Sequence, residues 1–260
     1  MMQPGFMPHP ARVFITFEGT PSHLPHEPTS RRVSPFRLSI PSLIGMVVLM
    51  CACSTPEKPA LEPAPGAAAP APPPAAADTR RAVVCFGDSI TAGFGLDAGQ
   101  SFPDLLQQDL DRRALRYRVV NLGVSGDTTQ DGLARIFMAL AEKPAIVVLE
   151  LGGNDGLRGI PLAITQANLG QMIEQFQGAG ARVVLAGMSL PPNYGPPYIQ
   201  KFEALYKTLA AKYKVTLIPF LLEGVGAHDE FMQRDGIHPN AAGARIVEAL
   251  VMKTLAPLLK

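Results

Sequence analysis

From residue 81 onward, short runs of mainly β-branched and aliphatic residues alternate with longer stretches whose apolar positions recur every three to four residues. The short runs, 82–86, 118–122, 145–151, 182–186 and 215–219, have the length and composition of buried strands. Segments 102–114, 129–141, 164–179, 197–213 and 240–255 carry helical spacing, and Asn240 is placed to cap the last of them. Strand and helix in strict alternation predict a parallel sheet covered on both faces. The expected architecture is therefore α/β: a three-layer α/β/α sandwich around a five-stranded parallel, flavodoxin-like sheet.

In sheets of this kind the ligand crevice lies beyond the carboxyl ends of the strands. Each stretch that follows a predicted strand carries polar residues. Gly87-Asp88-Ser89 follows the first, Gly123-Val124-Ser125-Gly126-Asp127 the second, Gly152-Gly153-Asn154-Asp155 the third and Met188-Ser189-Leu190-Pro191-Pro192 the fourth. Taken singly, each has an ordinary structural use: Ser89 as a helix cap, Asn154 and Asp155 as turn residues, Asp235 as the cap of a short turn. Asp88, Asp127 and Asp155 are assigned to loop architecture, and His228 to a solvated loop.

Near the C-terminus, Asp235-Gly236-Ile237-His238-Pro239 supplies a carboxylate and an imidazole three residues apart. With Ser89 they make up the equipment for acyl transfer through a serine ester. Ser89 is the nucleophile, His238 the general base, and Asp235 the group that fixes the imidazole tautomer. The Gly-x-Ser-x-Gly elbow of the α/β-hydrolases is absent, which argues against that fold.

Four blocks in order, Gly87-Asp88-Ser89, the Gly126 of Val124-Ser125-Gly126-Asp127, the Asn154 of Gly152-Gly153-Asn154-Asp155, and Asp235-Gly236-Ile237-His238, resemble those of the SGNH (GDSL-type) hydrolases. The wider wording, Glu150-Leu151-Gly152-Gly153-Asn154-Asp155-Gly156-Leu157-Arg158-Gly159 and Pro192-Asn193-Tyr194-Gly195, is similar to the branch containing the bacterial periplasmic thioesterase/lysophospholipase and the arylesterases. The resemblance covers about residues 81–257. It implies an oxyanion hole built from the Ser89 N–H, the Gly126 N–H and the Asn154 side-chain amide, and a mobile acyl-site loop after Asn154. In such a loop Gly156 and Gly159 permit movement and Pro161 limits it. Leu157, Ile160, Leu190 and Tyr194 follow strand ends and are the candidates for lining an apolar acyl or aryl groove.

The expected function is a serine esterase acting on short to medium acyl or aryl esters, with acyl thioesters and lysophospholipids as further substrates. Two alternatives stay open: an O-acetyl polysaccharide deacetylase of the cell envelope, and a non-catalytic surface lipoprotein. No cofactor is expected, and no metal, since no His/Cys cluster with ligand spacing occurs.

The first 80 residues differ in composition. Arg31, Arg32 and Arg37 precede an apolar run over 40–50, shorter than the roughly 20 residues of a spanning helix and therefore read as a signal-peptide core. Met50-Cys51-Ala52-Cys53 resembles a lipobox ending on Cys53, the candidate lipidation site; the alternatives are an ordinary secretory signal or a plain membrane anchor. Residues 1–30 are unlike a signal n-region, which predicts an overlong leader or a start near Val33. The expected organisation is a leader and signal over 1–53, a Pro/Ala-rich spacer over 54–80, and the hydrolase domain over 81–260. The protein is thus expected to be exported and to face the periplasm from a membrane through a lipid anchor, or else to be soluble in the periplasm or secreted. Cys85, alone on an apolar strand, reads as a small core residue. A formal net charge of +1 without a basic cluster argues against nucleic acid as a partner.

Overall fold

Seven-residue β1 (Arg81–Gly87) and β2 (Tyr117–Gly123) pair in parallel, and β3 (Ile146–Glu150), β4 (Arg182–Ala186) and β5 (Thr216–Ile218) extend the sheet from the other edge of β1. The computed structural model describes residues 78–259. The leader and signal over 1–53, lipidation at Cys53 and the spacer up to residue 77 lie outside the described residues. Strand order is β2-β1-β3-β4-β5, the flavodoxin-like order, with its switch point between β1 and β3. The central strands β1 and β3 are almost wholly buried, as their unbroken apolar runs require.

The helices are α1 (Ser89–Ala92), α2 (Phe102–Arg112), α3 (Thr129–Ala134), α4 (Ile136–Ala141), α5 (Gly153–Leu157), α6 (Leu162–Gly178), α7 (Pro196–Tyr213) and α8 (Ala241–Leu255). Right-handed crossovers from a central β1 send α2 to one face and α3, α6 and α7 to the other, and α8 returns to pack on α2. Ser101 and Thr128 open α2 and α3 with reciprocal capping boxes to Asp104 and Asp131, and Asn240 caps α8 through the N–H groups of Ala242 and Gly243. The core runs along both faces of the sheet, from Phe86, Val148 and Leu149 outward to Phe102, Leu106, Phe176 and Phe202.

Two elements depart from the periodicity. The helix expected over 129–141 breaks at Arg135, whose φ of −110° and ψ of 12° end α3 and begin α4. Its guanidinium turns inward instead, donating to the carbonyls of Gly87 and Leu122 and to Asp127 Oδ2. The turn after β1 is itself helical, but α1 is a single turn. Its free N–H groups therefore act locally and carry little of the dipole that a longer helix would bring to Ser89.

Candidate active site

The carboxyl ends of β1 and β3 approach so closely that any side chain at position 87 would collide with the Glu150 carboxylate and the Thr91 hydroxyl; only glycine fits. Beyond Gly87, Asp88 caps α1 by accepting from the Ile90 N–H at 3.1 Å, which turns Ser89 toward the crevice.

Ser89, His238 and Asp235 form one hydrogen-bonded line. Ser89 Oγ is 2.8 Å from His238 Nε2, and His238 Nδ1 is 2.7 Å from Asp235 Oδ2. A carboxylate on Nδ1 selects the tautomer whose Nε2 lone pair accepts the serine proton. The other Asp235 oxygen accepts the N–H groups of Ile237 and His238 at 2.9 and 3.0 Å, a local turn that Gly236 completes at φ 67°. Burial alone would raise the Asp235 pKa, but the hydrogen bonds from the His238 ring and from the His238 and Ile237 N–H groups outweigh it and lower it to about 2. The loop is fastened from outside by Gln233, whose amide donates to the carbonyls of Phe94 and Pro239 at 2.7 and 2.9 Å. The ring of Phe94, half exposed, rests against that of His238.

Gly126 and Asn154 occupy the loops after β2 and β3. Gly126 has φ 89°, and its carbonyl accepts from Arg158 at 2.9 Å. Asn154 Nδ2 donates to Asp88 Oδ2 at 3.2 Å and to the Asp127 carbonyl at 3.0 Å. The amide of Asn154 is thus engaged by two acceptors, and the oxyanion contact expected of it would have to displace or share one of them. Asp155 is buried and bonds the N–H and hydroxyl of Thr129 and the hydroxyl of Thr165, so it ties the β2 and β3 loops and α6 together. Asp127 is paired with Arg135 at 2.5 Å.

Behind Ser89 lie two carboxyl groups that the reading of the sequence did not single out as a pair. Glu150, fully buried at the end of β3, accepts the Asp88 N–H at 3.1 Å and the Thr91 hydroxyl at 2.7 Å, both on Oε2. Burial pushes Asp88 up to about 6, and burial together with the neighbouring Asp88 pushes Glu150 well above the usual carboxylate range. A signal was present: one carboxylate inside the otherwise apolar run Ile146-Val147-Val148-Leu149-Glu150-Leu151.

A cavity of about 350 Å³ opens beside Ser89, walled by Met188, Leu190, Phe220, Leu222, Met232 and Ile237 among others. Leu190 was expected there. Leu157, Ile160 and Tyr194 are not among its walls: the Tyr194 hydroxyl donates to the Leu157 carbonyl at 2.7 Å, which fixes those two to each other, and the Ile160 N–H bonds Asp155. The walls come instead from the β4 end, the loop after β5 and the segment before His238, a convergence of three distant stretches.

Comparison with known proteins gives the same assignment as the geometry. The model of the GDSL-like lipase/acylhydrolase family matches residues 85–246. Esterase TesA of Pseudomonas aeruginosa is 52% identical over 179 residues, 68% of this chain and 89% of that protein. Thioesterase 1/protease 1/lysophospholipase L1 of Escherichia coli is 40% identical over 186 residues, 71% of this chain and 86% of that one. The crystal structure of TesA matches with a TM-score of 0.67 at 50% identity, covering 69% of this chain and all of that one (100%). The chain therefore belongs to the GDSL-like lipase/acylhydrolase family, the SGNH hydrolases, and is an enzyme of ester hydrolysis.

Proposed function

We propose that the protein hydrolyses short to medium acyl or aryl esters through an acyl-enzyme on Ser89. The observation that carries this reading is the unbroken line from Ser89 Oγ through the His238 ring to Asp235, at 2.8 and 2.7 Å. Ser89 Oγ attacks the substrate carbonyl carbon while its proton passes to His238 Nε2, and the imidazolium that forms is held by Asp235. The carbonyl oxygen, now negative, is received by the N–H groups of Ser89 and Gly126 and by the Asn154 amide. Collapse of this intermediate breaks the ester bond, and His238 returns the proton to the departing alkoxide. Water then repeats the sequence on the acyl-serine, releasing the acid and restoring Ser89.

The apolar cavity receives the acyl group. Its volume of about 350 Å³ lies near the lower bound of ligand pockets, about 300 Å³, and exceeds what an acetyl group fills. This favours an acyl esterase over an O-acetyl deacetylase. The printed names of the relatives, an esterase and a thioesterase/lysophospholipase, favour thioesters and lysophospholipids as further substrates. Export as a lipoprotein anchored at Cys53 is part of the same reading and rests on the sequence pattern of residues 31–53; metabolic labelling with a fatty acid, lost in Cys53→Ala, tests it.

A panel of p-nitrophenyl esters of increasing chain length, run beside an acetylated glycan, tests the substrate class. The expected optimum lies beyond acetyl, and strict restriction to acetyl groups overturns the reading. Ser89→Ala is expected to abolish turnover and fluorophosphonate labelling while leaving the thermal transition in place. Wild-type turnover in that variant refutes the nucleophile.

A further inference from the structure

Asp88 and Glu150 adjoin each other behind Ser89, the Asp88 N–H on Glu150 Oε2, and the mechanism above uses neither. Asp88 is 3% exposed and Glu150 0%. Counting donors separates their roles. Both Asp88 oxygens are served: Oδ1 by the Ile90 N–H and Oδ2 by the Asn154 amide. Glu150 Oε2 is served twice, by the Asp88 N–H and the Thr91 hydroxyl, whereas Glu150 Oε1 is buried and receives no donor. Two bare carboxylates this near in a buried setting would repel strongly, and an acceptor left without a donor adds its own desolvation cost. One proton removes both difficulties, and the atom without a donor is where it belongs.

We propose that Glu150 carries a proton on Oε1 and hydrogen-bonds the Asp88 carboxylate, so that the pair acts as a positioning device for the Asn154 amide. The proposal rests on the reading of Asn154 as an oxyanion donor. Its consequence is electrostatic as well as geometric. A singly charged pair holds the amide by one face while leaving the second N–H to swing from the Asp127 carbonyl to the developing oxyanion. A doubly charged pair at the same place would oppose that oxyanion across a low-dielectric gap. Glu150 thereby also reaches the nucleophile's turn, because the Asp88 N–H and the Thr91 hydroxyl flank Ser89 and both bond to it.

Several titratable and charged groups surround the pair. Asp88 faces His238 and Asp127, the latter already paired with Arg135. Glu150 faces Cys85 and Tyr206, both pushed upward chiefly by burial, and Tyr206 also faces Asp155 and Asp88.

Infrared spectroscopy of the whole protein at neutral pH, wild type against Glu150→Gln, reads the proton directly. The expected result is a protonated-carboxyl band in the wild type that the Gln variant lacks. Absence of the band, or its survival in Glu150→Gln, overturns the proposal. Kinetics supply the second reading. Glu150→Met, which cannot donate, is expected to lower kcat ~10- to 100-fold with KM changed less than about threefold, the scale of a displaced reacting group. Glu150→Gln, whose amide can donate to Asp88, is expected to recover at least about tenfold of that loss. It is also expected to lose the alkaline fall in kcat that marks loss of the shared proton in the wild type. Equal kcat in the two variants, or an unchanged alkaline limb, counts against the pair, and the spectrum and the Gln profile decide even where the Met variant does not fold. Asn154→Ala separates the two readings: it is expected to cost on the order of 100- to 1000-fold in kcat. Wild-type rate there refutes the donor assignment, whereas a large loss there without the carboxyl band refutes the protonated pair alone.

Discussion

Phe94 leans on the His238 ring with centroids 4.7 Å apart and planes tilted by 42°. One side chain thus both limits the motion of the imidazole and offers a π face to the imidazolium that forms when Ser89 is deprotonated. A partly exposed contact of this kind contributes about 0.5–1 kcal/mol to a cation. Phe94→Ala is therefore expected to lower kcat about two- to fivefold with folding unaffected, and Phe94→Leu, which packs without a π face, to recover only part. Steady-state kinetics of the two variants check this, and equal rates for Leu and Phe would remove the electrostatic component.

Asp235 gives a pH signature of known sign. Its pKa in the folded protein is lowered to about 2, so its stabilising contribution is complete above the ordinary carboxylate value of 3.8 and is lost as pH falls toward 2. The thermal stability gap between the wild type and Asp235→Asn is expected to be constant above about pH 4 and to close below it. With 38% of its side chain exposed, solvent screens the interaction and keeps the gap small. A gap that widens on acidification contradicts the assignment.

Phe220 lines the cavity, and it borders Gly226 closely enough that position 226 has little room for a side chain. Phe220→Ala is expected to raise KM for octanoyl esters on the order of tenfold and to leave acetyl esters nearly unchanged, since apolar pocket contacts discriminate by about 10- to 200-fold. The ratio of kcat/KM across the ester panel measures it. A uniform change at all chain lengths would mean that the acyl group lies elsewhere.

Arg135 holds the ends of β1 and β2 and neutralises Asp127, with both side chains less than 15% exposed, at 14% and 12%. Its guanidinium also lies over the ring of Phe86, 4.2 Å from the centroid. Arg135→Met is expected to destabilise the fold by about 1–3 kcal/mol, because it leaves a partly buried carboxylate and two backbone carbonyls without their donor. Arg135→Lys is expected to recover little, as one ammonium cannot serve three acceptors in a fork. Urea unfolding of both variants is the measurement.

The five strands were legible because burial on both faces writes itself as uninterrupted apolar runs, and the glycines and polar residues after them marked the crevice. Ser89, Asp235 and His238 could be identified as partners by chemistry alone, although 149 positions separate the first from the last. The break at Arg135 was not legible: the apolar period continues through 129–141, and the cause is a pair of carbonyls contributed by β1 and β2. Nor were the cavity walls. Leu157 and Tyr194 follow strand ends in sequence, as Leu190 does, and only the structure shows the hydrogen bond that joins them to each other away from the cavity walls. Glu150 was visible as an anomaly in an apolar strand, but its meaning depended on Asp88, which follows the Gly87 that the register sets against Glu150 and whose N–H bonds it.

The fastening of residues 233–239 by their own turn and by Gln233 has a mechanical corollary. His238 and Asp235 share one short loop, while Ser89, the proposed nucleophile, and Gly126 and Asn154, the proposed oxyanion donors, follow directly on strands of the sheet. The two halves join at the serine–imidazole hydrogen bond. Swinging the loop outward disengages the base from the nucleophile without parting it from Asp235, so the acid–base half behaves as a clutch plate that stays assembled when disengaged.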